Sequence, residues 1–412
     1  MTRPTIELEV GPVAHGGHCG ARHEGRGVFV RHALPGERVL AEVTDGGDDA
    51  AFWRADAVEV LEASPDRVEP PCPWAGPGRC GGCDWQHAAL PAQRALKADV
   101  VREQLQRLGG VDVEVDVEAV PVPGHAADDG LRWRTRVRYA VDRSARAGLR
   151  AHRSHRVVPV DVCRIATTEV AEVPVTSSRW PGVASVEVAA SGAGERAVVV
   201  EAAGRRRPAV PDLPDGTSVV VSREGADPER VRGRTWLGEP VVLPDGDATF
   251  RVGAAGFWQV HPGAGAALDR YAGGGLLTLP LAARVGPSGS VVSVESDARA
   301  VRDARRNLHE HPQVRIEQGR TERVLEGLVD ELGSADVVVL DPPRSGAGRP
   351  VVDQVVALSP RVVVYVACDP AALGRDVRLL AERGYRLDGL RAFDLFPMTH
   401  HVECVARFVP AG

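Results

Sequence analysis

Apolar and polar positions alternate in short runs over residues 5–62, and glycine and proline punctuate the runs. TIELEVG, GRGVFVRHALPGERVLAEV and FWRADAVEVLEA read as strands of period two, the pattern of a small β-barrel. A proline-containing linker from Ser64 to Pro73 leads into a cluster of cysteines. The period then changes. In LPAQRALKADVVREQLQRLGG, Leu96, Val100, Leu105 and Leu108 fall on one helical face, Pro91 suits the first turn, and Gly109-Gly110 ends the helix. Residues 111–253 return to valine-rich strands separated by Gly, Pro and Asp turns. After Arg251, near-continuous apolar strands (SVVSVES, DVVVLDPP, RVVVYVAC) alternate with helical stretches such as ARAVRDARRNLHE. That rhythm predicts a doubly wound parallel sheet.

The 412 residues suffice for two or three domains. The patterning divides them into a barrel (1–62), a β-rich central domain with the cysteines (63–253) and an α/β domain (254–412). A formal net charge of -6 gives no global positive field that would advertise nucleic acid, so local patches decide. In LRWRTRVRYAVDR, Arg132, Arg134, Arg136 and Arg138 fall on one strand face, with Trp133, Val137 and Tyr139 on the other. Arg150, His152, Arg153, His155 and Arg156 extend this basic surface, and a plain solvated edge strand accounts for it equally well. Lys97 is the only lysine among 50 basic residues. The start, MTRPTIELEV, has no basic-then-apolar segment, and no apolar run approaches about 18 residues. A soluble, cytoplasmic protein without a membrane partner is the expectation.

The seven cysteines are Cys19, Cys72, Cys80, Cys83, Cys163, Cys368 and Cys404. In a reducing compartment, clustered cysteines point to metal before disulfide. PCPWAGPGRCGGCDWQH brings Cys72, Cys80 and Cys83 together, and Cys163 in VPVDVCRIA is a candidate fourth. Gly81-Gly82 lets the backbone wrap tightly between two thiolates. Four thiolates suit tetrahedral zinc or an iron–sulfur cluster, and the spacing leaves that choice open.

Cys368 ends the apolar run Val362 to Ala367 and precedes Asp369-Pro370. Its thiol therefore sits at a strand's carboxyl edge, where open α/β sheets bind and transform ligands. It is a candidate nucleophile, although a small buried hydrophobe is the commoner fate of a free cysteine. ALDRYAGGGLLTLPLA joins Asp269 to a turn rich in glycine (Gly273, Gly274, Gly275). Glu295 ends the next strand, where an acid can accept both ribose hydroxyls of an adenosine cofactor. The dinucleotide fingerprint is incomplete, so a nucleoside-type cofactor fits better than NAD. In ADVVVLDPPRSGAG, Asp341 ends another strand, and Arg344 can hold phosphate or carboxylate. A simple strand terminator is the plainer reading there.

GFWQVHPGA, the YAGGG turn, VLDPPRSG and YVACDPAAL occur in this order, and DLFPMTHHVECVA ends the series. Together they resemble the RNA uracil-5-methyltransferase family over almost the whole chain. The resemblance implies an α/β fold with a Rossmann-like methyltransferase domain that uses S-adenosyl-L-methionine (SAM). It further implies an N-terminal OB-like barrel of the TRAM type that binds RNA. At Cys72, Cys80, Cys83 and Cys163 it implies a 4Fe-4S cluster in preference to zinc. Gln259, Tyr271, Glu295 and Asp341 are the implied SAM contacts, Cys368 the implied nucleophile and Glu403 the implied proton acceptor. The implied reaction, by a monomer, is methylation of carbon 5 of a uridine in rRNA or tRNA through a covalent Cys–uracil intermediate.

Several positions depart from that pattern. The family places a helix and a loop between the FxQV segment and the first strand of the cofactor domain. Here HPGAGAALDRY leaves almost no room between Gln259 and Asp269, so a segment is expected to be missing. His261 replaces an Asn, Arg320 replaces an Asp that can contact SAM, and Asp369 replaces the Asn after the nucleophile. The short segment keeps a second reading open: an RNA-binding protein of this fold with an impaired cofactor site and no catalysis. A zinc-ribbon RNA-binding module is a third.

Overall fold

Strands of period two bury one face, and the N-terminal runs fold accordingly. The computed structural model describes residues 5–412 except 48, 126–128, 224, 244–245 and 269–274. Strands β1 (Thr5–Glu9), β2 (Val13–Ala14), β3 (His18–His23), β4 (Arg26–Arg31), β5 (Arg38–Asp45) and β6 (Phe52–Glu62) form one sheet, ordered β1-β5-β6-β4-β3-β2. Leu8, Val28, Val30, Val39 and Ala41 fill its interior, and Trp85, Leu96 and Val100 close it from outside. The last two belong to helix α1 (Leu90–Gln104), which has Pro91 in its first turn. A π-helical turn, Leu105–Gly109, follows and stops at Gly110, where φ is 70°.

After β7 (Val117–Ala119) comes the central sheet. It contains β8 (Arg136–Val141), β9 (Ala147–Arg150), β10 (Val157–Val158), β11 (Val183–Ala190), β12 (Arg196–Ala202), β13 (Thr217–Ser222) and β14 (Glu229–Arg232), with the short helix α2 (Thr168–Ala171) before β11. Its valine-rich strands pack around Trp180. A hairpin, β15 (Trp236–Leu243) and β16 (Gly246–Gly253), links it to the α/β region.

That region runs α3 (Ala264–Leu268), α4 (Gly275–Val285), β17 (Val291–Glu295), α5 (Ala298–Asn307), β18 (Val314–Gln318), α6 (Thr321–Leu332), β19 (Val337–Leu340) and α7 (Gly348–Ala357). It ends with β20 (Val362–Ala367), α8 (Pro370–Ala381), β21 (Tyr385–Asp394) and β22 (Glu403–Pro410). The apolar runs become parallel strands, as expected, but in two pieces. One is the pair β17-β18, and the other is ordered β19-β20-β22-β21-β7. Among the described residues no strand joins β17 to β19. Val337, the first residue of β19, is 48% exposed. The expected strand end at Asp269, and the residues Tyr271, Gly273 and Gly274, lie outside the described residues. No helix among the described residues is long and apolar enough to cross a membrane.

Candidate active site and cysteine cavity

Antiparallel register assembles the site. Val366 pairs with Val405 and Ala367 with Cys404, so the next step along both strands sets Cys368 opposite Glu403. Parallel pairing of Leu340 with Tyr365 brings Asp341 to the same edge. Asp369 caps α8, its Oδ1 accepting from Ala372 N at 2.8 Å. Its Oδ2 lies 3.1 Å from His15 Nε2, contributed by the N-terminal barrel.

Acidic groups crowd this edge. Glu403 is only 4% exposed. Burial, with the charge of Asp341 adding and Arg344 opposing, pushes its carboxyl up to about 8. Asp341 is exposed, yet desolvation and the nearby charge of Glu295 push it up to about 6. Burial and then Glu403 raise the Cys368 thiol, while Arg344 favours the thiolate. Arg344 Nη2 is 3.4 Å from His401 Nε2. Glu295, at the end of β17, and Asp341, after β19, thus repel each other. A cation with hydroxyl donors relieves that repulsion, and SAM has a sulfonium, an ammonium and ribose hydroxyls, so these residues fit it.

Gln259 is half-buried in the loop after β16. Arg136 holds this loop by donating to Ala254 O at 3.1 Å and Gly256 O at 2.9 Å. Here the structure corrects the expected row of RNA-facing arginines. Arg136 is buried beside Glu187, and Arg138 is paired with Glu201 and Ser185. The partners come from distant segments, so the local alternation could not reveal them. Phe257, which the sequence reading passed over, is 82% exposed beside Gln259. An aromatic left so exposed offers a face for base stacking.

Cys72, Cys80, Cys83 and Cys163 line one cavity of about 520 Å³, with Arg134, Arg150, His152, Arg153 and His155 around them. Cys80 bridges Ala151, and Gly81 N donates to Arg150 O at 3.0 Å. A side chain at Gly81 would collide with the backbone of His152, which explains the glycine. Burial pushes the Cys80 thiol up to about 11 and raises those of Cys83 and Cys163. Among the described residues, no group of three or more His, Cys, Asp or Glu side chains converges closely enough to hold a metal ion. Zinc draws four thiolates into contact at a Zn–S distance of about 2.3 Å, whereas a cubane keeps them at separate corners. The four thiols line one space and are of the donor type that either group takes.

Comparison with known proteins agrees with this architecture. Residues 264–408 match the model for tRNA (Uracil-5-)-methyltransferase, and residues 1–52 match the TRAM domain. A protein from Streptomyces avermitilis described as an uncharacterized RNA methyltransferase is 51% identical over 434 aligned positions, covering 98% of each chain. One from Streptomyces coelicolor is 50% identical and covers 98% of this chain and 93% of its own. The crystal structure of Pyrococcus abyssi tRNA (uracil-54, C5)-methyltransferase in complex with S-adenosyl-L-homocysteine shares the fold. Its TM-score is 0.69 at 22% identity, over 98% of this chain and 100% of that one. The 434 positions aligned with the Streptomyces avermitilis protein exceed the 412 residues of this chain, so that relative has residues this chain lacks.

Proposed function

The chain belongs to the tRNA (uracil-5-)-methyltransferase family of SAM-dependent RNA methyltransferases, and on that premise we propose that it methylates carbon 5 of a uridine in rRNA or tRNA through a covalent bond to Cys368. The supporting observation is the strand register that sets Cys368 opposite Glu403, with Arg344 and Asp341 coupled to both.

Carbon 5 of uracil is a weak nucleophile. Addition of the Cys368 thiolate to carbon 6 moves the double-bond electrons onto carbon 5 and the adjacent carbonyl as an enolate. Gln259, Tyr271, Glu295 and Asp341 would hold SAM, which would supply the methyl group for carbon 5 and leave as S-adenosyl-L-homocysteine. Glu403 then accepts the carbon 5 proton, the ring double bond re-forms, and the carbon–sulfur bond breaks to return the thiolate. Base assistance of this kind contributes about 10²- to 10⁴-fold in rate. The uridine must leave its stack to reach the thiol, at a cost on the order of a few kcal/mol. The TRAM barrel, exposed Phe257 and the basic rim of the cysteine cavity would offset that cost by gripping RNA. Cys72, Cys80, Cys83 and Cys163 would hold a 4Fe-4S cluster, which gives absorbance near about 400 nm that a zinc site lacks.

Incubation with SAM and RNA tritiated at uracil carbon 5 tests the reading. Sustained tritium release is expected, and Cys368→Ala should abolish it; turnover by that variant would overturn the mechanism. The short segment between Gln259 and Asp269 favours a second reading, binding of RNA without catalysis. Absent tritium release together with absent SAM binding by the folded protein would select it.

A further inference from the structure

Glu403 opens β22, and the connection 395–402 delivers it there from β21. This connection turns through Met398, a non-glycine residue with φ of 68°, so the turn is strained and needs outside support. The support comes from the residues that follow the last cysteine of the knuckle. The backbone N–H groups of Asp84 and Trp85 both donate to Met398 O, each at 3.0 Å. The Asp84 carboxylate accepts from His400 twice, from Nδ1 at 2.6 Å and from the backbone N at 3.3 Å. Gln93 Oε1 accepts from Met398 N at 2.7 Å. Met398 itself packs with Cys83 and Cys163 beside Trp133 and Ile165. The N-terminal barrel closes over the same point: Trp85 Nε1 donates to Gly17 O at 3.2 Å, and a Cβ on Gly17 would come within 2.8 Å of His400 Cβ.

We infer that Asp84 is a positioning residue for the proton acceptor Glu403, acting through His400 and the Met398 turn, and that the cysteine cavity is thereby coupled to the last chemical step. Asp84 touches none of the reacting atoms. Its two bonds to His400 lie three residues before Glu403, later along the connection than the Lys97 contact to Phe396 O. Loss of this hold frees the approach to Glu403 while leaving Cys368 at the end of its own strand, β20, and Asp369 in its cap. Proton removal from carbon 5 should slow, whereas thiolate addition and methyl transfer should not.

The inference rests on the proposed covalent mechanism, and one experiment separates the two. Transcript pools of rRNA and tRNA are prepared with uridine or with 5-fluorouridine. Fluorine on carbon 5 cannot leave as a proton, so the reaction halts at the covalent RNA–protein adduct whatever the state of Glu403. The wild-type protein should form that adduct with fluorinated RNA; if it does not, the covalent mechanism itself fails. Asp84→Ala and Asp84→Asn should form it at a rate within about threefold of wild type. On ordinary RNA both should lose about 10- to 100-fold in turnover, as expected when a base is misplaced by about 1 Å. They should also accumulate adduct, which wild type does not. His400→Gln, which weakens the contact from the other side, should reproduce the split and guards against misfolding of the Asp84 variants. Equal losses in adduct formation and turnover, or no loss in either, would overturn the inference.

Discussion

At the scale of single residues, Glu403 sets stability and chemistry against each other. Its carboxyl titrates at about 8 in the folded chain against an ordinary value of 4.5, chiefly because it is buried. Between those values the native state binds more protons than the unfolded state. The contribution is therefore neutral below about pH 4.5, grows more destabilising as pH rises from about 4.5 to about 8, and is constant above that. Glu403→Gln removes the titration. Its melting temperature should match that of wild type at about pH 5 and exceed it by a few degrees at about pH 9. A difference independent of pH would show that burial does not govern this carboxyl. In the proposed mechanism catalysis responds in the opposite sense, because the acceptor must be ionised. Wild-type turnover should climb between about pH 7 and 9, and Glu403→Gln should lose about 10²- to 10⁴-fold. A more stable, nearly inactive variant is the expected signature of a strained functional group.

At the scale of elements, α1 joins the barrel to the catalytic sheet. Leu96 and Val100 face the barrel core, while Ala98, Val101 and Leu105 face the core around β20 and β22. Lys97, 0% exposed on this helix, bonds Asp394 Oδ1 at 2.5 Å and Phe396 O at 3.1 Å, tying α1 to the end of β21. Removing one partner of such a pair leaves an uncompensated buried charge, so Lys97→Met should cost about 3–5 kcal/mol. Lys97→Met with Asp394→Leu should recover most of that loss. The urea midpoint reads both, and a single variant within about 1 kcal/mol of wild type would mean that the pair is solvated.

The same elements show what could be read in advance. The strands ending at Glu295, Asp341 and Cys368 were legible because each is an apolar run closed by an acid, a proline or both. α1 was legible as a helix but not as one buried on two sides, since Gln93 and Lys97 look like a solvent face until their partners arrive from residues 394–398. β7 has three residues, too few for periodicity, and joins its sheet only through β21. Glu403 had no local signal beyond its motif. Its role depends on the register between β20 and β22, which is a property of pairing rather than of sequence.

At the scale of the whole molecule, Glu295 stands on a different ladder from Asp341, Cys368 and Glu403 among the described residues. Glu295 ends the β17-β18 pair, whose α4 and β18 side chains Leu279, Val314 and Ile316 pack against Phe250 and Val252 of the hairpin. Asp341, Cys368 and Glu403 belong to the five-stranded sheet, which α1, Trp85 and His15 fasten to the barrel. Among the described residues no backbone ladder runs from β17 to β19, and α6 packs Leu325 and Leu328 with Val292 and Val294 of β17. An element held by fewer cooperative contacts opens at lower free energy. Amides of β17 and β18 should therefore exchange with deuterium faster than those of β20 and β22 in the free protein. SAM contacting both Glu295 and Asp341 would bridge the blocks. At about 100 times its dissociation constant it adds about 2.7 kcal/mol to the bound state, enough to slow exchange in β17 about 100-fold if local opening must release the ligand. The remote strands β8 to β12 serve as the internal control and should not change. Protection confined to β17, β18 and β19 would establish that the cofactor site binds SAM. Exchange unaltered by saturating SAM would mean that the chain has lost its methyl donor, and with it the chemistry of Cys368.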